Sequence, residues 1–163
     1  MGAADVGSGA GGSGHLGAGA GAGLDGRWVA KVTAADVVER SGTVLVRVGE
    51  PAARVVPVLP DWLDEVIDMA ESAGAEFLVG GTSTARNRAG ALAASIIVAH
   101  GHPKLSASRL RSTWLVTHLA IGTRLPELAR AAGLQGLTVL SDLLPFIPAI
   151  DEVTRVEILR GRS

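Results

Sequence analysis

Residues 105–135 read LSASRLRSTWLVTHLAIGTRLPELARAAGLQ, and this stretch decides the fold. Ser106 or Ser108 can cap a helix running to about Ile121, because a serine hydroxyl accepts from the unpaired N–H groups of a first helical turn. Leu110, Trp114, Leu115, His118 and Leu119 recur at three- and four-residue spacing and so share one apolar face. Pro126 suits the first turn of a second helix, where its missing N–H costs nothing, and Gly133 stops that helix.

The same logic extends in both directions. Downstream, Leu137–Leu144 and Ile150–Leu159 form two further amphipathic pieces, and upstream Thr84–Ala99 reads as a helix ended by His100-Gly101-His102-Pro103. Asp61 is the expected N-cap of a helix to about Ala73, with Trp62, Val66, Met69 and Ala70 on one face. Asp61, Asp64, Glu65, Asp68 and Glu71 then form its wet side rather than a carboxylate site. Thr43–Val48 (TVLVRV) and Arg54–Leu59 (RVVPVL) are β-branched runs that predict a hairpin, with Pro57 placing the second strand at an edge or bulge. Ser41-Gly42 marks a turn, Arg27–Val38 allows a short helix, and Phe77–Val79 a short strand. The expected class is α+β, mainly helical, with helices packed on a small antiparallel sheet.

Composition narrows the rest. The chain has 163 residues, 47% of them hydrophobic, enough for one domain with a buried core. Cysteine is absent, which excludes disulfides and thiolate metal sites and fits a cytoplasmic protein. The longest mostly apolar run, Ala91–Ala99, is far short of the roughly 20 residues of a helical membrane span. The start of the chain lacks the basic, leucine-rich pattern of a signal peptide. Residues 1–26 hold eleven of the 22 glycines, so residues 1–23 are expected to be a flexible Gly/Ala-rich segment ahead of a domain at 24–163. GSGAGGSG within it lacks the preceding strand and following Gly-Lys of a phosphate loop.

Net charge is −1, but unevenly spread. Between Gly81 and Leu134 lie seven basic residues (Arg86, Arg88, Lys104, Arg109, Arg111, Arg124 and Arg130) and one acid, Glu127. Such asymmetry reads either as an anion-facing surface or as an ordinary solvated helix face. Trp28, Trp62 and Trp114 occupy periodic apolar positions and read as core, as does His118 on the apolar stripe. His100-x-His102 has no third ligand close in sequence, so no metal is expected.

Residues 105–135 also resemble the C-terminal half of the tyrosine recombinase (phage integrase) catalytic domain, whose motif runs His-x-Leu-Arg-His-Thr-Phe-Ala-Thr-His-Leu and later Leu-Gly-His. Leu110, Arg111, Thr113, Trp114, Thr117, His118, Leu119 and Gly133 stand at matching places. Upstream, GLDGRWVAKVTAADV is similar to the family's Gly-Leu-Arg-x-x-Glu-Leu…Asp-Ile segment, and Arg54-Val55-Val56-Pro57 to the strand after its lysine hairpin. The likeness runs from about Gly23 to Leu144.

What the resemblance implies is mostly loss. Two arginines of the family hold the scissile phosphate where charge builds in the transition state. The first falls here on Asp25, with Arg27 a misplaced substitute, and only the second is present, as Arg111. The hairpin lysine, a proton donor to the leaving oxygen, falls near Gly49 or Ala52. The two motif histidines fall on Ser108 and Leu134, and the nucleophile near Leu143 or Leu144. The chain contains no tyrosine, and Ser141 has no base nearby in sequence to activate it, so no catalytic residue is assigned. The expected function is a catalytically silent, integrase-like domain holding double-stranded DNA through Arg111 and the six other basic residues, without a cofactor. The alternatives are a protein-interaction module, docking Ile150–Leu159 onto a copy of itself or a recombinase partner, or a non-functional remnant, either keeping the fold without DNA binding, and a recombinase fragment completed in trans for DNA integration. Leu125–Leu144 also looks like a helix-turn-helix, whose second helix would expose Thr138, Ser141 and Asp142 but no cation.

Overall fold

A computed structural model of the chain describes residues 17–79 and 106–161. The expected helix at Thr84–Ala99, the pair His100 and His102, and the cations Arg86, Arg88 and Lys104 lie outside the described residues. The architecture is α+β and mainly helical, with one three-stranded antiparallel sheet.

The sheet is a meander of β1 (Val37–Arg40), β2 (Thr43–Val48) and β3 (Arg54–Pro57) in the order β1-β2-β3. Along β2, Val44, Val46 and Val48 are buried and alternate with residues facing outward; Val56 continues the buried layer on β3 and Val58 just beyond it. β3 is an edge strand, which is where Pro57 is tolerated. β1 replaces part of the helix expected over Arg27–Val38. The helix there, α1, covers only Gly26–Val29, and a 3₁₀ turn at Ala34–Asp36 follows. The cause lies one turn further on: Ser41 (φ 53°) and Gly42 (φ 74°) both take the left-handed conformation of a two-residue hairpin turn. That turn sets Val37 opposite Val46 and Arg40 opposite Thr43, and sheet pairing overrides the weak helical period. Phe77–Val79 forms no strand; Phe77 makes a single bridge to Thr33.

The other helices are α2 (Leu63–Ala73), α3 (Ala107–Ala120), α4 (Leu125–Ala132), α5 (Thr138–Ser141) and α6 (Glu152–Leu159). Asp61 does not cap α2; it sits in a 3₁₀ turn, Pro60–Trp62, that leads into the helix. Ser106 does cap α3, accepting from the Arg109 backbone N–H at 3.3 Å. Gly133 (φ 64°) ends α4 as expected. The piece expected over Leu137–Leu144 is one turn of helix followed by a 3₁₀ turn at Leu144–Phe146. At roughly 6 Å, α5 is too short to be the groove-reading helix of a helix-turn-helix, which removes that alternative.

Gly17–Gly23 corrects the expectation of flexibility. Gly17–Gly21 forms a wide π-type turn, and Ala18, Ala20, Ala22 and Leu24 are buried. The glycines are there for close approach. A Cβ on Gly19 would lie 2.7 Å from Leu110 Cβ, one on Gly21 2.7 Å from Trp62 Cβ, and one on Gly23 2.4 Å from the Trp114 ring. The Gly21 carbonyl also accepts from the Leu59 N–H at 2.9 Å. The segment is thus a strap packed against α3 and the start of α2. Trp114 and Trp28 lie in the core with Leu115, Leu128 and the sheet valines, as their spacing implied, while Trp62 is half-buried at its edge. Of the acidic face of α2, Asp64, Asp68 and Glu71 are exposed; burial raises Glu65 above the usual carboxylate range. No helix among the described residues is long and apolar enough to cross a membrane.

Candidate nucleic-acid interface

Arg111 sits in the second turn of α3, and α4 folds back so that its last turn meets it. One terminal nitrogen donates to the Gly23 carbonyl at 2.6 Å and the other to the Ala132 carbonyl at 2.5 Å. Arg54, at the start of β3, donates to the neighbouring Ala131 carbonyl at 2.8 Å and to Ala52 at 3.0 Å. Two guanidinium groups therefore converge on the carbonyl end of α4, where the helix dipole is negative. Burial pulls the Arg111 guanidinium below its ordinary value, opposed by Asp25. Arg54 is lowered by burial and then by repulsion from Arg111, with Asp25 again opposing.

Asp25 makes no ion pair with either arginine. Its Oδ1 caps α1 instead, accepting from the Arg27 and Trp28 N–H groups at 3.0 and 3.2 Å. Asp25 thus has a local structural task. Arg54 is the member of this junction that sequence reasoning missed. Its one signal is a lone cation opening an apolar strand, and nothing local names its partner 77 positions away.

The other described cations of the basic stretch, Arg109, Arg124 and Arg130, are exposed on the α3–α4 hairpin. Arg109 is exposed at the beginning of α3 and Arg124 is exposed at the N-cap of α4. The stretch of α3 from Arg109 to its end at Ala120 spans about 17 Å at 1.5 Å per residue, so the two lie towards opposite ends of the helix. Arg130 is exposed on α4 and paired with Glu127 at 2.5 Å, a surface pair of small energetic weight. The described cations form a discontinuous band along the α3–α4 hairpin.

Of the other positions singled out by the sequence resemblance, Gly49 and Ala52 occupy the β2–β3 turn, Ser108 is exposed with its hydroxyl 3.1 Å from that of Ser106, Leu134 is half-buried and Leu143 is buried, while Leu144 is exposed. His118 packs edge-on against Trp114, ring centroids 4.3 Å apart, with Nδ1 2.9 Å from Thr123 Oγ1. This half-buried ring is a packed residue, and burial is what shifts its titration. Trp114 Nε1 and His118 Nε2 have no hydrogen-bond partner among the described residues. Beside them lies an open cleft of about 390 Å³, lined by Val55, Pro57, Leu128 and Ala131 and by the polar residues Arg54, Glu127 and Arg130. Among the described residues no three metal-ligating side chains come together.

Burial lowers the His118 pKa, so the unfolded chain binds this proton more readily than the folded one. Stability should therefore fall as pH drops below the ordinary histidine value of about 6.5. Thermal melts of the parent and of His118→Gln at pH 7.5 and 5.8 check this. The parent should lose more melting temperature over that interval, and equal losses would refute a buried neutral imidazole.

The architecture that positions Arg111 is a three-stranded meander with the α3–α4 hairpin folded back to meet the Gly23 loop. Among solved structures the chain is similar to a XerA recombinase, at a TM-score of 0.64 and 13% identity, over 96% of this chain and 64% of that one. The chain thus spans a little under two-thirds of that protein's length, and at this identity the likeness is one of fold. No family model and no curated protein matches the chain.

Proposed function

We propose that the chain is a catalytically silent module of the tyrosine recombinase type that holds double-stranded DNA by its phosphates. One observation carries the reading. By the sequence resemblance Arg111 matches one phosphate-holding arginine, while Asp25, Gly49 or Ala52, Ser108, Leu134 and Leu143 or Leu144 match the positions of the other reacting groups, and the likeness of fold to a recombinase supports that reading. Without a phenolic oxygen no tyrosyl–phosphate bond forms. Arg109, Arg124 and Arg130 offer exposed charge along the hairpin, and Arg86, Arg88 and Lys104 belong to the same basic stretch of sequence. Arg111 contributes chiefly by holding α3, α4 and the Gly23 loop together, with its remaining N–H groups as phosphate donors.

Fluorescence anisotropy of labelled duplex DNA across a salt series tests this. Four to seven phosphate contacts give a slope of log K against log salt of about −4 to −6. Arg109→Ala and Arg124→Ala should each flatten it by about one unit, equally for every sequence tried. No binding at low salt would overturn the proposal.

A second reading has its own observation. Every residue of α6 is exposed, including Val153, Val156, Ile158 and Leu159, and Phe146 just before it is 69% exposed. An apolar stripe of this kind is usual at protein contacts. A homo-oligomer that persists at high salt, in a chain without DNA affinity, would replace the DNA reading with this one.

A further inference from the structure

We draw no further inference here: the strongest candidate, the cleft between β3, α3 and α4, carries nothing, because the unpartnered nitrogens of Trp114 and His118 beside it are sealed from its space and nothing in the structure shows what would occupy it.

Discussion

Gly23→Ala should be among the most destabilising single-methyl changes in this chain. Gly23 has a φ of 59°, and an alanine there pays about 1–2 kcal/mol for the left-handed conformation alone. The added Cβ would also stand 2.4 Å from Trp114 Cδ2 and Cε3. Trp114 is 1% exposed, and overpacking against its ring adds about 1–3 kcal/mol. Backing the loop away from the ring would stretch the bond from Arg111 to the Gly23 carbonyl. The total, about 2–5 kcal/mol, is a large part of an ordinary domain's 5–15 kcal/mol. Gly42→Ala is the control, since Gly42 also has a positive φ but nothing within 4 Å of its added Cβ. Urea midpoints should rank Gly23→Ala well below Gly42→Ala; equal midpoints would show that the strap does not press on Trp114.

Trp114→Ala is the second large effect. This indole is the biggest fully buried side chain; Gly23 covers one part of it and His118 meets it edge-on. Its removal should cost about 3–5 kcal/mol, as aromatic-to-alanine changes in cores do. Trp114→Phe should be much milder, because it keeps most of the packing and deletes an N–H that has no partner among the described residues. Urea denaturation of both variants checks the pair of expectations. A phenylalanine variant as unstable as the alanine one would mean that the indole N–H makes a bond essential to the fold.

The sequence was most legible where local signals agree with the tertiary outcome. Thr43–Val48 alternates buried and outward residues and is a strand; α3 has its serine cap and apolar stripe, and α4 its proline start and glycine stop. It was misleading where the deciding partner is remote. Val37 and Val38 fit either a helix or a strand locally, and the turn at Ser41-Gly42 chose the strand. The glycines of the strap read as flexibility because a missing side chain carries no sign of what presses against it. Here those neighbours are Trp62, Leu110 and Trp114. Arg111 illustrates the same limit for the site. Its charge and its place in the motif-like stretch are visible in sequence, but its acceptors, at Gly23 and Ala132, are 88 and 21 positions away. The dispersal of Arg109, Arg124 and Arg130 likewise follows from the length of α3 and the fold-back of α4, which a count of charges does not convey.

The function proposed above is DNA binding without strand cleavage, on a fold similar to that of a recombinase. The most direct test is incubation of the chain with nicked suicide duplexes, under salt conditions where anisotropy shows the duplex bound, followed by denaturing electrophoresis. The account predicts a bound but unmodified duplex, with no protein-linked strand at any time point. A covalent protein–DNA adduct would contradict it, because it would require a nucleophile that none of the assigned positions provides.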